Sequence, residues 1–114
     1  MEIKTINLEQ GMPSLEYAKI QLRQSLTAAR ANRVPILKLI HGYGSSGRGG
    51  VIGQETRRIL RAMQQQGEVV AVIPGEEFSP FEETTQRMLL RYPELARDRD
   101  YLKTNHGITI VVLR

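Results

Sequence analysis

Hydrophobic residues in the first third of the chain recur at strand spacing and then at helical spacing. Residues 2–8 alternate apolar and polar side chains, a pattern that weakly favours a β-strand. Ser14 follows a Gly-Met-Pro turn and is placed to cap a helix. Apolar side chains then recur on one helical face at Leu15, Ala18, Leu22, Leu26 and Ala29. We therefore predict an amphipathic helix that ends near residue 31.

Two short apolar runs in the middle of the chain flank a second helical pattern. Residues 36–40 are apolar except for Lys38, which predicts a strand buried on both faces. Helical spacing follows a glycine-rich stretch, at Ile52, Ile59, Leu60 and Met63. Gly67 is a natural C-cap for this helix. Residues 69–73 then predict the next buried strand.

A third helix signal lies in the sequence Ser-Pro-Phe-Glu. Ser79 is placed to cap this helix, Pro80 takes its first position and Glu82 completes a capping box. The helix is predicted to reach about Tyr92, before a proline. The charged residues 93–105 contain at most a short further helix.

The chain closes on a β-branched, apolar run, residues 107–113, which predicts a strand inside the sheet. The element order is βαβαβ, an inserted helix and a final β. Such an alternation predicts an α/β fold, a two-layer sandwich with a mixed four-stranded sheet. A length of 114 residues suits one domain, so we predict a single domain over residues 1–114.

Composition narrows the functional classes only modestly. The absence of cysteine excludes a disulfide scaffold and thiolate metal sites. We expect a cytoplasmic protein without membrane contact, because no signal peptide and no apolar run of membrane-spanning length is visible. Sixteen Lys and Arg residues against twelve Asp and Glu give a net charge of +4, which is compatible with a polyanionic partner.

The glycine-rich stretch lies in LKLIHGYGSSGRGGVIGQETRRIL, residues 37–60, between a buried strand and a helix. Loops that leave such a strand and enter a helix N-terminus are common ligand sites. The helix start offers unpaired N–H groups, and glycines let the backbone approach an anion closely. Phosphate is therefore the favoured ligand, with Ser45 and Ser46 as hydroxyl donors and Arg48 as a positive charge.

The glycine-rich stretch alone does not decide which class of phosphate ligand would bind. The stretch lacks the Lys-Ser/Thr of a P-loop, and a chain of this length has no room for two mononucleotide-binding halves. A flexible glycine loop is suited to a nucleic-acid backbone, with His41 and Tyr43 available to stack or to donate. A plain strand-to-helix connection without ligand is the alternative.

Two further groups of residues near the loop are candidates for the same contact. His41 at the strand end is either a hydrogen-bonded structural residue or a group that donates to phosphate or moves a proton. His106 precedes the last strand and is predicted to be a turn residue. Three arginines follow the loop and suit bidentate phosphate contacts, or belong to a solvated helix face: Arg57, Arg58 and Arg61.

The stretch at residues 37–60 resembles the central signature of the Smr (small MutS-related) domain, a strand followed by His-Gly-x-Gly, a glycine-bearing loop and a helix. The N-terminal helix pattern and the closing NHGITIVVL also resemble that family. The resemblance covers roughly three quarters of the chain and leaves residues 74–104 as a family-atypical insertion. It implies the compact βαβαββ sandwich also found in the C-terminal domain of translation initiation factor three.

The resemblance also implies nucleic-acid binding and, for several family members, nicking or endonuclease activity on DNA or RNA. The family's second motif, Leu-Asp-x-His, aligns with Leu8, Glu9, Gln10 and Gly11. The carboxylate is kept at Glu9, but the histidine is replaced by Gly11. Phosphodiester hydrolysis usually needs two placed groups or a metal, and the candidate pair is Glu9 with His41. Glu9 as a solvated surface acid is the alternative, and we expect no bound metal and no cofactor.

The leading hypothesis is a nucleic-acid-binding module of Smr type that grips backbone phosphates and cleaves weakly or not at all. The residues assigned to this contact are His41, Gly42, Tyr43, Gly44, Ser45, Ser46, Gly47, Arg48, Arg57, Arg58 and Arg61. An active endonuclease using Glu9 and His41 is the first alternative. A small-molecule or protein-binding α/β domain is the second, and there the segment 74–104, with an exposed Tyr92, is a partner surface or a homodimer edge.

Overall fold

The computed structural model describes residues 3–44 and 50–114. Within these ranges the chain forms four strands and three α-helices. In chain order they are β1 (Ile3–Asn7), α1 (Leu15–Ala31), β2 (Ile36–Ile40), α2 (Gly50–Gln65), β3 (Ala71–Pro74), α3 (Glu83–Arg91) and β4 (Ile108–Val112). Two short 3-10 helices, Gly75–Glu77 and Pro93–Arg97, flank α3.

The four strands form one mixed sheet in the order β1-β2-β4-β3. β1 and β2 are parallel, and β4 is antiparallel to both β2 and β3. All five residues of β4 are buried, because this strand has a neighbour on each side and a covered face above and below. The predicted position of the last strand inside the sheet is confirmed.

α1 and α2 pack on one face of the sheet. Their apolar sides meet the strands in a single core, which explains the helical spacing seen in the sequence: only one stripe of each helix is buried. The fully buried members of this core are Leu8, Leu22, Leu37, Leu39, Leu60 and Val111.

The opposite face of the sheet is covered by α3 and the residues around it. A second core joins Phe78, Met88 and Leu95 to the strands, and the rings of Phe78 and Tyr101 meet edge to face with centroids 5.2 Å apart. The predicted α/β fold with a mixed four-stranded sheet is confirmed. The segment between β3 and β4 adds a layer beyond the two that the sequence predicted.

α3 begins later than the sequence predicts. Ser79 was expected to cap the helix, but the helix starts at Glu83 and its N-cap position is Glu82, without a capping side chain. The Ser79 hydroxyl instead accepts from the N–H of Phe81, and the N–H of Glu82 bonds to the Ser79 carbonyl in a turn. The local turn therefore replaces the expected first helical turn.

Tyr92 is another correction, because it is half-buried instead of exposed. Its ring packs against the second core, and its hydroxyl donates to the carbonyl of Arg114. Tyr92 therefore ties the segment to the end of the chain and does not stand free as a partner contact.

The loops that follow β1 and β2 and the loop that precedes β4 lie at the same edge of the sheet. The C-terminal ends of β1, β2 and β3 lie at the same edge as the start of β4, as shown by the pairs Asn7–Ile40 and Ile40–Ile108. We call this the loop edge. The helices α1 and α2 both begin there, since each follows one of the parallel strands.

Candidate functional site

Gly44 and Gly50, which flank residues 45–49 of the glycine loop, lie next to each other at the loop edge. Gly44 and Gly50 both have positive φ, at 66° and 65°. A Cβ on Gly50 would lie 2.9 Å from the Cα of Gly44, so only glycine allows the two ends to approach this closely. The predicted contacts Ser45, Ser46, Gly47 and Arg48 fall outside the described residues.

His41 is buried below this loop, with 3% of its surface exposed. Its Nε2 lies 2.9 Å from Thr109 Oγ1, and its Nδ1 lies 3.3 Å from the carbonyl oxygen of Gly42. Helix α2 passes against the ring at Gly53, where a Cβ would come 2.5 Å from Nδ1. The imidazole is therefore held between β4 and α2 by packing and hydrogen bonds.

The hydrogen bonds around His41 form a chain that reaches Arg57. A carbonyl can only accept, so the Gly42 contact assigns the ring hydrogen to Nδ1. The Thr109 hydroxyl then donates to Nε2 and accepts from Arg57 Nε, 3.0 Å away. This arrangement holds the imidazole in one orientation and favours the neutral tautomer that carries its hydrogen on Nδ1.

Arg57 is committed to partners inside the protein. Its guanidinium makes two parallel bonds of 2.8 Å to the carboxylate of Glu76 and donates to the carbonyl oxygens of His106 and Ile108. Burial is the largest single influence on Glu76 and raises its pKa, but hydrogen bonds from Arg57 and the backbone, together with the charges of Arg57 and His106, outweigh it and hold the pKa below the ordinary value. Arg57 thus joins α2 to the start of β4.

Glu9 follows β1 and lies against the backbone of Gly42. Gly42 has a φ of 75°, and a Cβ there would overlap the Glu9 carboxylate. Glu9 lines two clefts at the loop edge. One, of about 700 Å³, includes Tyr43, Gly44 and Arg99.

The second cleft at the loop edge, of about 420 Å³, contains both members of the proposed catalytic pair. Glu9 and His41 line it together with Met12 and the first turn of α2. The pair is brought together because β1 and β2 are adjacent and parallel. Their roles differ: Glu9 is exposed, while both ring nitrogens of His41 contact protein atoms.

The larger cleft offers groups suited to a polyanion. Tyr43 keeps 51% of its surface exposed, and Arg99, also exposed, lines the same cleft. The first turn of α2 lines the smaller cleft next to it and carries no acidic side chain, so the positive end of that helix dipole is not offset by its own residues. An anion that spans the two clefts can therefore meet backbone N–H groups, a guanidinium and an aromatic face, and it also meets the carboxylate of Glu9, which lines both clefts.

The other predicted arginines lie away from the loop. Arg58 is eight residues into α2, about 12 Å from its start, and pairs with Glu55 on the side that faces α1. Arg61 is exposed about 16 Å along the same helix. The structure does not bring these two residues together with Tyr43 and Gly44.

Three residues of the site were missed by the sequence prediction. Gly53 interrupts a helical pattern, a signal for close packing, and it contacts His41. Thr109 is the single polar residue of an apolar strand and bonds His41. Arg99 gave no signal, because its place beside the cleft depends on how the segment after α3 folds. His106 lies in a turn, as predicted.

Within residues 3–44 and 50–114, no group of three or more His, Asp or Glu side chains is placed to hold a metal ion. In the same part of the chain, no helix is both long and apolar enough to cross a membrane.

No family model matches the chain, and no curated protein matches it. Among solved structures, the chain is similar to the crystal structure of the Smr domain of Thermus thermophilus MutS2. The two are 24% identical, and the match covers 97% of this chain and 98% of the other with a TM-score of 0.56. This likeness supports the fold predicted from the sequence.

Proposed function

We propose that this protein is a diverged Smr-type domain that binds nucleic acid, gripping backbone phosphates where the glycine loop enters α2. One observation carries the proposal: an exposed aromatic ring, Tyr43, and the acid-free N-terminus of α2 lie beside the same glycine backbone at the loop edge. The fold likeness to the Smr domain of MutS2 supports it.

Phosphate oxygens would be bound mainly by backbone N–H groups. The first N–H groups of α2 have no partner within the helix, and the positive φ of Gly44 and Gly50 keeps the backbone open to a close approach. The loop residues Ser45, Ser46, Gly47 and Arg48 are proposed to complete this contact. Binding of this kind positions the backbone without reading sequence.

Tyr43 and Arg99 add the contacts that backbone amides cannot make. An exposed tyrosine beside a phosphate site can stack on an unpaired base, which contributes about 1–3 kcal/mol per base. Arg99 faces the same cleft and suits a phosphate oxygen. Arg57 is excluded from the contact, because its guanidinium already holds Glu76 and Thr109; we assign it a positioning role.

Phosphodiester cleavage is the second candidate, favoured by the shared cleft of Glu9 and His41. In that reaction Glu9 would act as the base toward water, and an acid would protonate the leaving oxygen. His41 has protein partners on both ring nitrogens, so we assign it to positioning and propose weak or absent cleavage.

Glu9→Gln separates the two candidates. Glu9 is an exposed negative charge at the lip of the anion site, so its removal should strengthen oligonucleotide binding in a binding module. In an endonuclease the same change should abolish cleavage of RNA or supercoiled DNA. A variant that loses cleavage while a matched Glu82→Gln variant keeps it would establish the enzyme.

The direct test is a fluorescence anisotropy titration with single-stranded and duplex DNA and RNA. Binding is expected at about 50 mM salt and should weaken at least about tenfold at about 200 mM, because counterions are released. Arg48→Ala and Tyr43→Ala should each weaken it, while Arg87→Gln, on α3 at the other sheet face, should not. Absence of binding at low salt, or equal losses in all three variants, would overturn the proposal.

A further inference from the structure

A cleft lined by arginines lies between α1 and α2, toward the C-terminal ends of the two helices. It has a volume of about 430 Å³ and is lined by Arg23 and Arg30 from α1 and by Arg58 from α2. Leu26, Ile59 and Met63 also line it. All three guanidinium-bearing residues are exposed, so their charges face solvent around a partly apolar floor.

A separate cleft that shares Arg30 with the first lies at the sheet edge opposite the loop edge. The second cleft, of about 400 Å³, is lined by Arg30, Arg33 and Arg114. Arg30 belongs to both clefts, so the positive charges follow one path across the molecule. We call this path the arginine track; its members are Arg23, Arg30, Arg33, Arg58 and Arg114.

Two bonds to backbone carbonyls help to hold the track in place. Arg30 donates to the carbonyl of Glu68 over 2.6 Å, and Arg114 reaches the carbonyl of Arg33 at 3.5 Å. These contacts neutralise no charge, because a peptide carbonyl carries none. The guanidinium groups therefore keep their full positive charge while their positions are restricted.

Few carboxylates oppose these five charges. Glu55 bonds Arg58, and Glu68 lines the first cleft. The hydrogen bond from Arg58 holds the pKa of Glu55 below its ordinary value, and the charges of Arg58, Lys19 and Arg23 lower it further. Cations from both helices therefore converge on the single carboxylate of Glu55, and the track remains positive overall.

The track and the glycine loop lie at opposite ends of the same helix pair. α1 and α2 begin at the loop edge, and the track occupies their far halves. α2 has 16 residues, so its length is about 24 Å. At 3.4 Å per nucleotide along one strand, this length corresponds to about seven nucleotides.

We infer that the arginine track is a second nucleic-acid contact, which holds the phosphate backbone of a strand bound at the glycine loop and directs it along the α1–α2 groove. The inference deepens the proposed function and rests on it. Regularly spaced phosphates match arginines spread across two adjoining clefts, and the planar guanidinium suits phosphate oxygens. An acidic protein partner is the competing occupant.

The decisive variant carries Arg23→Gln, Arg33→Gln and Arg58→Gln. Its matched control carries Arg87→Gln, Arg91→Gln and Arg97→Gln, three exposed arginines of the α3 segment, so both proteins lose the same net charge. Binding of a 20-nucleotide strand (an oligomer of about three times the α2 length) is measured against salt. The track variant should reduce the magnitude of the salt slope by about 2, and the control should leave it unchanged.

A variant with increased oligonucleotide affinity provides a second, independent test. Glu55→Gln removes the carboxylate on which the cations converge, so it should strengthen oligonucleotide binding, whereas Glu82→Gln, at an exposed carboxylate before α3, should not. Circular dichroism melting of each variant checks that the fold is kept. Weaker or unchanged binding by Glu55→Gln would count against the track.

The outcomes separate this inference from the proposed function. If Tyr43→Ala and Arg48→Ala weaken binding but the track variant matches its control, the loop site stands and the track is overturned. If only the track variant weakens binding, the loop site fails, and the inference that one strand runs from the loop to the track fails with it, although the track itself contacts nucleic acid. If polyglutamate binds the track and oligonucleotides do not, the partner is an acidic protein and the inference is wrong.

Discussion

The position of His41 depends on the absence of a Cβ atom at Gly53 of α2. Gly53 lies within the helix, and a Cβ at this position would come within 2.9 Å of two atoms of the imidazole, Nδ1 and Cε1. Real Cβ contacts are longer, so any larger residue must move the ring or the helix. Because His41 bonds Thr109, a shift of the ring also disturbs the contact between α2 and β4.

Gly53→Ala should therefore destabilise the protein. Alanine normally stabilises a helix interior relative to glycine by up to about 1 kcal/mol, but the clash here should reverse the sign and cost about 1–3 kcal/mol. Urea denaturation measures the change in the free energy of unfolding. In a His41→Ala background the clash is absent, and Gly53→Ala should then be stabilising. A stabilising effect in the presence of His41 would refute this packing.

The layer between β3 and β4 is attached to the sheet by one buried ion cluster. Lys38 lies in β2 with its side chain 6% exposed, and it bonds the carboxylates of Asp98 and Asp100. Asp100 also accepts from Asn105. The lysine that interrupts an otherwise apolar strand is thus the partner of two acids, Asp98 and Asp100, the first of which lies 60 residues further along the chain.

Lys38→Met should loosen this layer from the sheet. Two largely buried carboxylates would lose their counter-charge, a change that costs about 3–5 kcal/mol. Limited proteolysis should cleave the variant within residues 75–104 sooner than the parent, while exposed Lys103→Met should behave like the parent. Adding Asp98→Asn and Asp100→Asn to Lys38→Met should restore part of the loss. Equal resistance of Lys38→Met and Lys103→Met would contradict this role.

The elements were largely predictable because each buries one regular set of side chains. Apolar spacing identified α1, β2, α2 and β4, and burial on both faces identified β4 as an inner strand. The start of α3 was not predictable, because Ser79 satisfies a nearby N–H in a turn as readily as it caps a helix. That residues 74–104 are an insertion relative to the Smr family stays a prediction.

The candidate site was predictable only where local sequence decides it. The glycines and His41 mark the strand-to-helix connection, so the site could be located. The partner of Arg57 could not be foreseen, because Glu76 meets it only after β3 joins the sheet. The same reason applies to Arg99, whose place depends on the fold of the segment after α3.

Across the whole molecule, charge is distributed unevenly between the two edges of the sheet. At the loop edge, Lys38 and Arg57 are held by carboxylates, and exposed positive charge is limited to Arg99 among the described residues that line the larger cleft. The arginine track concentrates at the other edge. In the proposed contact, affinity at the loop would therefore depend on backbone amides and on Arg48.

The paired carboxylates also set the dependence of stability on pH. Burial raises the pKa of Asp100, but hydrogen bonds from Lys38 and Asn105 together with the charges of Lys38 and Arg99 outweigh it and lower the pKa below the ordinary value. The pKa of Glu76 is lowered in the same way by hydrogen bonds from Arg57 and the backbone and by the charges of Arg57 and His106. A lowered folded-state pKa gives stability that is present above the unfolded pKa and is lost as pH falls through the folded pKa.

The free energy of unfolding should therefore decline as pH falls below about 4. Asp100→Asn and Glu76→Gln should each be less stable than the parent at neutral pH and should show a shallower decline in acid. Glu82→Gln, which replaces an exposed carboxylate, serves as the control. Urea denaturation at a series of pH values measures both effects, and parallel curves for Asp100→Asn and the parent would contradict the assignment.

The most direct test of the central claim is a map of backbone amide chemical shifts during titration with a short oligonucleotide at low salt. We predict that the amides of Tyr43, Gly44 and the first turn of α2 shift most, and that added salt reverses the changes. The result that would contradict the account is a titration in which these amides stay fixed, whether the remaining amides are silent or shift only around α3.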